Sequence, residues 1–327
     1  MRILFIGDLH LRHTHLQLSK SVLNWIEKII IEKKPDIVVN LGDTFDTHSV
    51  IRSEILCIFY DHLLRVSNIL KNNLHGYYVC LLGNHDQYKP NSSEYHAFRP
   101  FSSIKNVIVA DSNMQYDGIS YVPYVVSRDL WPETKTDIVV THNTFIGADY
   151  GYKLADHGIE TKDVNANFVI SGHVHKKQIL DSKIHYVGTP YAMSASDADQ
   201  VKGLTIFDTE SYRFEFIESP FPMYKTIEQN TGEPIPDLDE FNYWIMNLKG
   251  PRAEIKSILE SKQINDLRKR SNLIIKTESI DKIKSEKVSI LSTSISSMLD
   301  EYLEKVYKGN QDKEKIKKII LQNTGVK

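Results

Sequence analysis

Short apolar runs alternate with amphipathic stretches along the first two-thirds of the chain. Residues 2–6 (Arg-Ile-Leu-Phe-Ile) read as a buried strand. Apolar positions then recur at helical spacing from 16 to 31 (Leu18, Val22, Trp25, Ile26, Ile29, Ile30), and Pro35 stops that helix. A second strand is predicted at 37–39, a second helix at about 52–72 and a third strand at 77–82. Strand, helix and strand joined by short returns make a βαβ unit, whose parallel strands end on one crevice. Shorter strands are expected near 107–109, 120–122, 136–140 and 167–170. Runs at 183–187, 203–207 and 213–217 read as antiparallel strands that complete the sheets, so the fold class is α/β.

Beyond them the pattern changes. Pro220, Pro222, Pro234 and Pro236 punctuate the chain, placing the end of a first unit at residue 224. Residues 225–279 are short and mixed, with a helix expected at 238–247. From 280 an amphipathic helix carries Val288, Leu291, Ile295, Met298, Tyr302 and Val306 on one stripe, and Gly309 breaks it. That stripe requires a cover, either the protein's own body or a partner groove.

Polar, ligand-type residues follow five of the predicted strands. They are Gly7-Asp8-Leu9-His10, Gly42-Asp43-Thr44-Phe45-Asp46, Gly83-Asn84-His85-Asp86, Thr141-His142-Asn143 and Gly172-His173-Val174-His175. One aspartate after a strand is an ordinary turn former or helix cap. Five such stretches converging on one crevice are a different matter. Asp8, His10, Asp43, Asn84, His142, His173 and His175 are too many ligands for one ion and suit two octahedral sites sharing a carboxylate. Nitrogen and oxygen donors without thiolate favour manganese or iron, with magnesium less suited to the histidines.

Composition sharpens this picture. Residues 248–327 hold 18 Lys+Arg against 11 Asp+Glu, a charge of +7, while the rest hold 22 against 31, or −9. An acidic half suits bound divalent ions, and a basic tail suits nucleic acid or an acidic partner; uneven surface charge is the plain alternative for the tail. No run is long enough to cross a bilayer and no cleavable leader is apparent, so a soluble, cytoplasmic protein without membrane contact is expected. Cys57 and Cys80 read as two buried free thiols.

The five motifs together resemble the signature of the calcineurin-like metallophosphoesterases. The resemblance implies a four-layer α-β-β-α sandwich with metals at the strand ends. By motif position, Asp8, His10, Asp43 and His175 would hold one ion and Asp43, Asn84, His142 and His173 the other. His85 would be the acid at the leaving oxygen, and the Asp46 carboxylate would orient it. Protein serine/threonine phosphatases carry Arg-Gly after the second aspartate, where this chain has Thr47-His48. The Gly-Asp-x-Phe-Asp form, Gly-Asn-His-Asp, Tyr121-Val122-Pro123-Tyr124 and Gly188-Thr189-Pro190 are similar to SbcD-type nucleases.

That closer resemblance implies a catalytic domain at 1–224, a small α+β capping domain at 225–279 that contacts DNA, and a partner-binding helical segment at 280–327. It implies a DNA exonuclease or endonuclease of recombination and double-strand-break repair with two Mn²⁺ (Mg²⁺ or Fe²⁺ as substitutes), a homodimer, and an SbcC-type coiled-coil ATPase partner docked on Leu291, Ile295, Met298 and Tyr302. The compact length looks like a phage version, which would work in the host cytoplasm. His13 and His48 are candidate DNA contacts or surface bystanders, and Tyr88 is a base-stacking ring or a buried packing residue; Arg268-Lys269-Arg270 is a backbone-binding triplet or a solvated turn. Two other functions stay open: a phosphodiesterase or phosphatase for a small nucleotide or other phosphoester, and an inactive scaffold, against which stands the absence of any replaced ligand.

Overall fold

Each apolar run becomes a strand whose alternate residues enter two different cores. A computed structural model describes residues 1–48, 50–71, 76–89 and 92–281. The elements run β1 (Arg2–Ile6), α1 (Leu16–Lys33), β2 (Ile37–Asn40), α2 (Ser53–Leu70), β3 (Tyr77–Leu81), β4 (Val107–Ala110), β5 (Met114–Tyr116), β6 (Ile119–Val122), β7 (Ile138–Thr141) and β8 (Phe168–Ser171). Then come β9 (Gln178–Leu180), β10 (Ile184–Tyr186), β11 (Gly203–Asp208) and β12 (Arg213–Glu218). The last are β13 (Tyr224–Asn230), β14 (Tyr243–Gly250), α3 (Arg252–Leu259), α4 (Lys262–Arg270) and β15 (Asn272–Ser279).

The first sheet has the order β12-β11-β1-β2-β3-β4 and the second β5-β6-β7-β8-β10-β9. Strands β1 to β4 are parallel, as are β6, β7, β8 and β10. Ile3, Phe5, Ile37, Val39, Val79 and Leu81 face inward and meet Tyr121, Val140 and Ile170 of the second sheet. Their neighbours Leu4, Ile6, Val38, Tyr78 and Cys80 face outward, under Val22, Ile26 and Ile30 of α1 and Phe59, Leu63 and Val66 of α2. Burial on both faces is why these strands read as unbroken apolar runs. Each fully buried Leu, Ile or Phe contributes roughly 1.5–3 kcal/mol. α1 stops where expected: Lys34 takes the left-handed conformation, its N–H bonds to Ile30 O, and Pro35 follows.

The outer face of the second sheet is covered differently. Val139, Val169, Ile184 and Tyr186 pack under Phe145, Ala148, Ala155, Ile159 and Val164, which lie in the loop between β7 and β8. Among the described residues this layer consists of loops and a 3-10 turn at Thr161–Asp163, not α-helices. β13, β14 and β15 form a third, all-parallel sheet, and Met246, Ile264, Leu267 and Leu238 form its own small core with α3 and α4.

Several sequence expectations need correction here. The helix expected at 238–247 is absent; Tyr243-Trp244-Ile245-Met246 opens β14, whose aromatic and β-branched residues suit a pleated surface. The strand at 183–187 is antiparallel only to β9, which the sequence did not reveal, and pairs parallel with β8. Cys57 is exposed on α2, whereas Cys80 is buried as expected. Leu291, Ile295, Met298 and Tyr302 lie outside the described residues.

Candidate metal centre

The five motifs follow the C-terminal ends of β1, β2, β3, β7 and β8, and the loops between them are held to one another by main-chain contacts. His10 N donates to Asp43 O (2.9 Å) and Leu11 N to Thr44 O (2.8 Å), tying the first loop to the second. Asn40 folds the second loop locally: its Oδ1 accepts from Gly42 N at 3.2 Å and its Nδ2 donates to Thr44 Oγ1. Gly42 has φ +102°, and a Cβ there would lie 2.7 Å from Gly83 N, so the second and third loops approach closely enough to require it. Phe45 pins the same loop from below, fully buried edge-on to Phe59 at 5.6 Å.

These loops deliver two clusters that Asp43 connects. Asp8, His10 and His175 form one and Asp43, His142 and His173 the other, with His10, Asp43 and His85 as a third group between them, the candidate ligand atoms within each lying within 4.8 Å. Asp43 Oδ2 stands 3.8 Å from His10 Nε2 and 3.3 Å from His142 Nε2, so it faces both. Asn84 Oδ1 lies 2.9 Å from His173 Nδ1 and 3.1 Å from His142 Nε2. His142 Nδ1 faces Leu41 O at 2.7 Å, which assigns a proton to Nδ1 and turns Nε2 toward the pocket. Three of the candidate ligands, His10, Asp43 and His173, adopt positive φ (39°, 49° and 74°), a strained backbone held in place by the surrounding loops.

The electrostatics fit a cation. Burial lowers His10 and His173 to about 3, keeping both rings neutral with lone pairs available. Burial pushes Asp8 up, opposed by His142 and His175. Against the cost of burial, His142 holds Asp43 well below the usual carboxylate range; burial disfavours a charged His142, but Asp43 and Asp8 lift it to about 9. A single imidazolium thus supplies positive charge to a pocket with two carboxylates, a role divalent ions fill more completely. Asp8 Oδ2 and both ring nitrogens of His10 are buried without a hydrogen-bond partner. Leaving such atoms unmatched costs about 1–3 kcal/mol each, and a cation would match them. The donor set therefore fits a pair of divalent ions.

His85 sits beside the clusters. Its backbone N–H donates to Asp43 Oδ1 at 2.8 Å, and its Nδ1 lies 3.0 Å from the main-chain oxygen of Asp46. The contact expected from the Asp46 carboxylate is made by its carbonyl instead. The carboxylate pairs with Arg12 at 2.9 Å and faces His10 Nδ1 at 3.7 Å, because the arginine on the first loop is the nearer and permanently charged partner. His48 stacks on His85 with centroids 4.0 Å apart and meets Asn84 O at 3.0 Å, which brings it to the edge of the centre.

The other candidates are farther afield. His13 is exposed in a 3-10 turn before α1, and Tyr88 is 52% exposed with Lys89 over its ring. Arg268, Lys269 and Arg270 close α4 on the third-sheet unit, where Asp237 engages Arg270 and Asp266 engages Lys269.

Sequence reasoning missed three contributors. Asp86 is buried and accepts from the backbone N–H groups of Asp43 (2.7 Å), Thr44 (3.1 Å) and Gly83 (3.0 Å), locking two loops together. Burial and the neighbouring Asp43 raise it to about 7 while those donors pull it down. Its position in Gly-Asn-His-Asp was the available signal. Tyr124, tilted over His173 at 5.7 Å, lay in the Tyr121-Val122-Pro123-Tyr124 stretch without a role being assigned to it, and Arg12 carried no signal beyond its nearness to the first motif.

Comparison with known proteins agrees with this geometry. The chain is 27% identical to the DNA double-strand break repair protein Mre11 of Nanoarchaeum equitans (strain Kin4-M), an alignment covering 98% of this chain and 91% of that protein. It is 26% identical to Exonuclease subunit 1 of Enterobacteria phage T4, over 93% and 92% of the two chains. A putative phosphoesterase, 078R, of Invertebrate iridescent virus 3 is 28% identical over 68% of this chain and 67% of its own. Residues 1–177, which contain every strand-end motif, match the family model for calcineurin-like phosphoesterases, and the chain belongs to that family.

Proposed function

We propose that this chain is the nuclease subunit of a DNA recombination or double-strand-break repair complex, cleaving phosphodiester bonds with two Mn²⁺ ions. The observation that carries the reading is the Asp43 carboxylate facing both histidine clusters, in a chain that aligns over nearly its whole length with one relative named for DNA double-strand break repair and another named as an exonuclease subunit. Asp8, His10, Asp43 and His175 would hold one ion, and Asp43, Asn84, His142 and His173 the other. Bound there, a divalent pair supplies Lewis-acid neutralisation of the phosphodiester and lowers the pKa of attacking water.

The remaining work falls to the chain's own residues. Asp46 O accepts from His85 Nδ1–H and stacked His48 holds the ring plane, so in the imidazolium form Nε2–H is the proton left to donate to the leaving oxygen. Arg12 fixes the Asp46 segment through its carboxylate. Tyr124 offers a ring beside His173 on which a base of the strand would stack. Under this reading the protein acts as a cytoplasmic homodimer, and residues 280–327 dock on an SbcC-type ATPase.

The test is to incubate the purified chain with Mn²⁺, Mg²⁺ or Fe²⁺ and linear DNA, a chromogenic phosphodiester or a phosphomonoester, with a chelator control. Metal-dependent loss of DNA ends with preference for Mn²⁺ is expected. Turnover of the small esters while DNA stays intact would replace the nuclease reading with that of a small-substrate phosphoesterase.

A further inference from the structure

Behind the metal centre lies a buried ion pair that the reaction does not use. Lys202 and Asp197 have side chains 0% and 3% exposed, and Nζ lies 2.8 Å from Asp197 Oδ1. Nζ also donates to the main-chain oxygen of His175 at 3.0 Å and to Gln200 Oε1 at 3.1 Å, so its three protons have three acceptors. Asp197 is held in turn: its Oδ2 accepts from Met193 N at 2.8 Å and Ser194 N at 3.2 Å. A second donor, Thr189 N, reaches the same His175 oxygen at 3.3 Å.

The arrangement matters because of the residue it grips. The His175 side chain is 38% exposed, whereas those of His10 and His142 are 6% and 0% exposed. Packing fixes the other rings; His175 depends on where its backbone is placed. A buried lysine is costly to desolvate, and good hydrogen bonding only offsets that cost. Stability alone is therefore a poor account of why it sits here, directly under a candidate ligand.

We propose that Lys202, braced by Asp197, is a positioning residue that sets the main chain of His175 and through it one of the two ion sites. The proposal rests on His175 being a metal ligand, so that assignment is tested beside it. Mn²⁺ binding to the full-length chain is titrated calorimetrically, and thermal midpoints are recorded, for the wild type, His175→Gln, Lys202→Met and the neutral double variant Asp197→Asn/Lys202→Met.

His175→Gln and Lys202→Met are each expected to weaken one Mn²⁺ site about 10- to 100-fold and leave the other unchanged. The double variant, free of an unpaired buried carboxylate, is expected to regain thermal stability relative to Lys202→Met while its weak site stays weak. Recovery of both sites together with stability overturns the proposal, as does wild-type binding by the double variant. Failure of both Lys202 variants to fold also overturns it, since the pair then serves the core. Two intact sites in His175→Gln would instead remove the metal assignment beneath it.

Discussion

The two halves of the centre are built to different tolerances. Around Asn84, His142 and His173 the donor atoms already stand 2.9–3.2 Å apart, and His142 is fully buried. Around Asp8, His10 and His175 the spacing is wider: His175 lies 3.6 Å from Asp8, His10 stands 3.8 Å from the shared Asp43 against 3.3 Å for His142, and His175 opens to solvent. One half is preorganised by packing and by Leu41 O; the other relies on main-chain props and stands wider. The two ions should therefore bind unequally, with the tighter one between His142 and His173.

Four measurements probe that asymmetry. Asp43→Asn should erase it, because this carboxylate faces both halves: Mn²⁺ binding is lost from both sites and DNA cleavage falls to that of a chelated control, with the circular-dichroism spectrum unchanged. Two bound ions and near-normal cleavage in this variant would falsify the bridging role. Next in size, His85→Gln should lower turnover about 10²- to 10⁴-fold while keeping both ions under the proposed role at the leaving group. Loss of one ion would make it a ligand. Titrating His142→Gln against His175→Gln should then weaken the tighter site in the first and the weaker in the second; the reverse order inverts the comparison.

The smallest effect is on pH dependence of the metal-free chain. His10 and His173, lowered to about 3, contribute stability that is present above 6.5 and lost as pH falls from 6.5 toward 3. His142, raised to about 9, contributes stability that is present below 6.5 and lost as pH rises through 9. The melting midpoint in chelator should peak near neutrality and fall by several degrees on either side, on the order expected for about 1–2 kcal/mol. His142→Gln should flatten the alkaline arm. A wild-type midpoint still climbing at pH 9 contradicts the assignment.

What could be read from the sequence followed from physics that is local. Strand, helix and glycine signals placed Asp8, Asp43, Asn84, His142 and His173 at strand ends because buried parallel strands are short apolar runs and their exits are polar. What the sequence concealed depends on distant pairing. Asp86 joins two loops through backbone N–H groups 42 and 43 residues away, and Lys202 reaches His175 across 27. Neither partner is marked by residue type. Asp46 shows the same limit, because its role near His85 passes through a carbonyl that every residue possesses. The segment 238–247 failed for another reason: its apolar residues fit both periods, and pairing with β13 and β15 decided for strand.

The join between β1 and β11 also bears on how the chain is made. Their register runs from Arg2↔Asp208 to Phe5↔Thr205, and Tyr191 Oη, 182 residues along, donates to Leu9 O beneath the first motif. A ribosome releases β1 long before β11, so the loop bearing Asp8 and His10 waits for some 200 residues of later chain, and such distant contacts form slowly. Ion capture by the complete site therefore belongs to the late stage of synthesis, after the strand that flanks β1 has emerged.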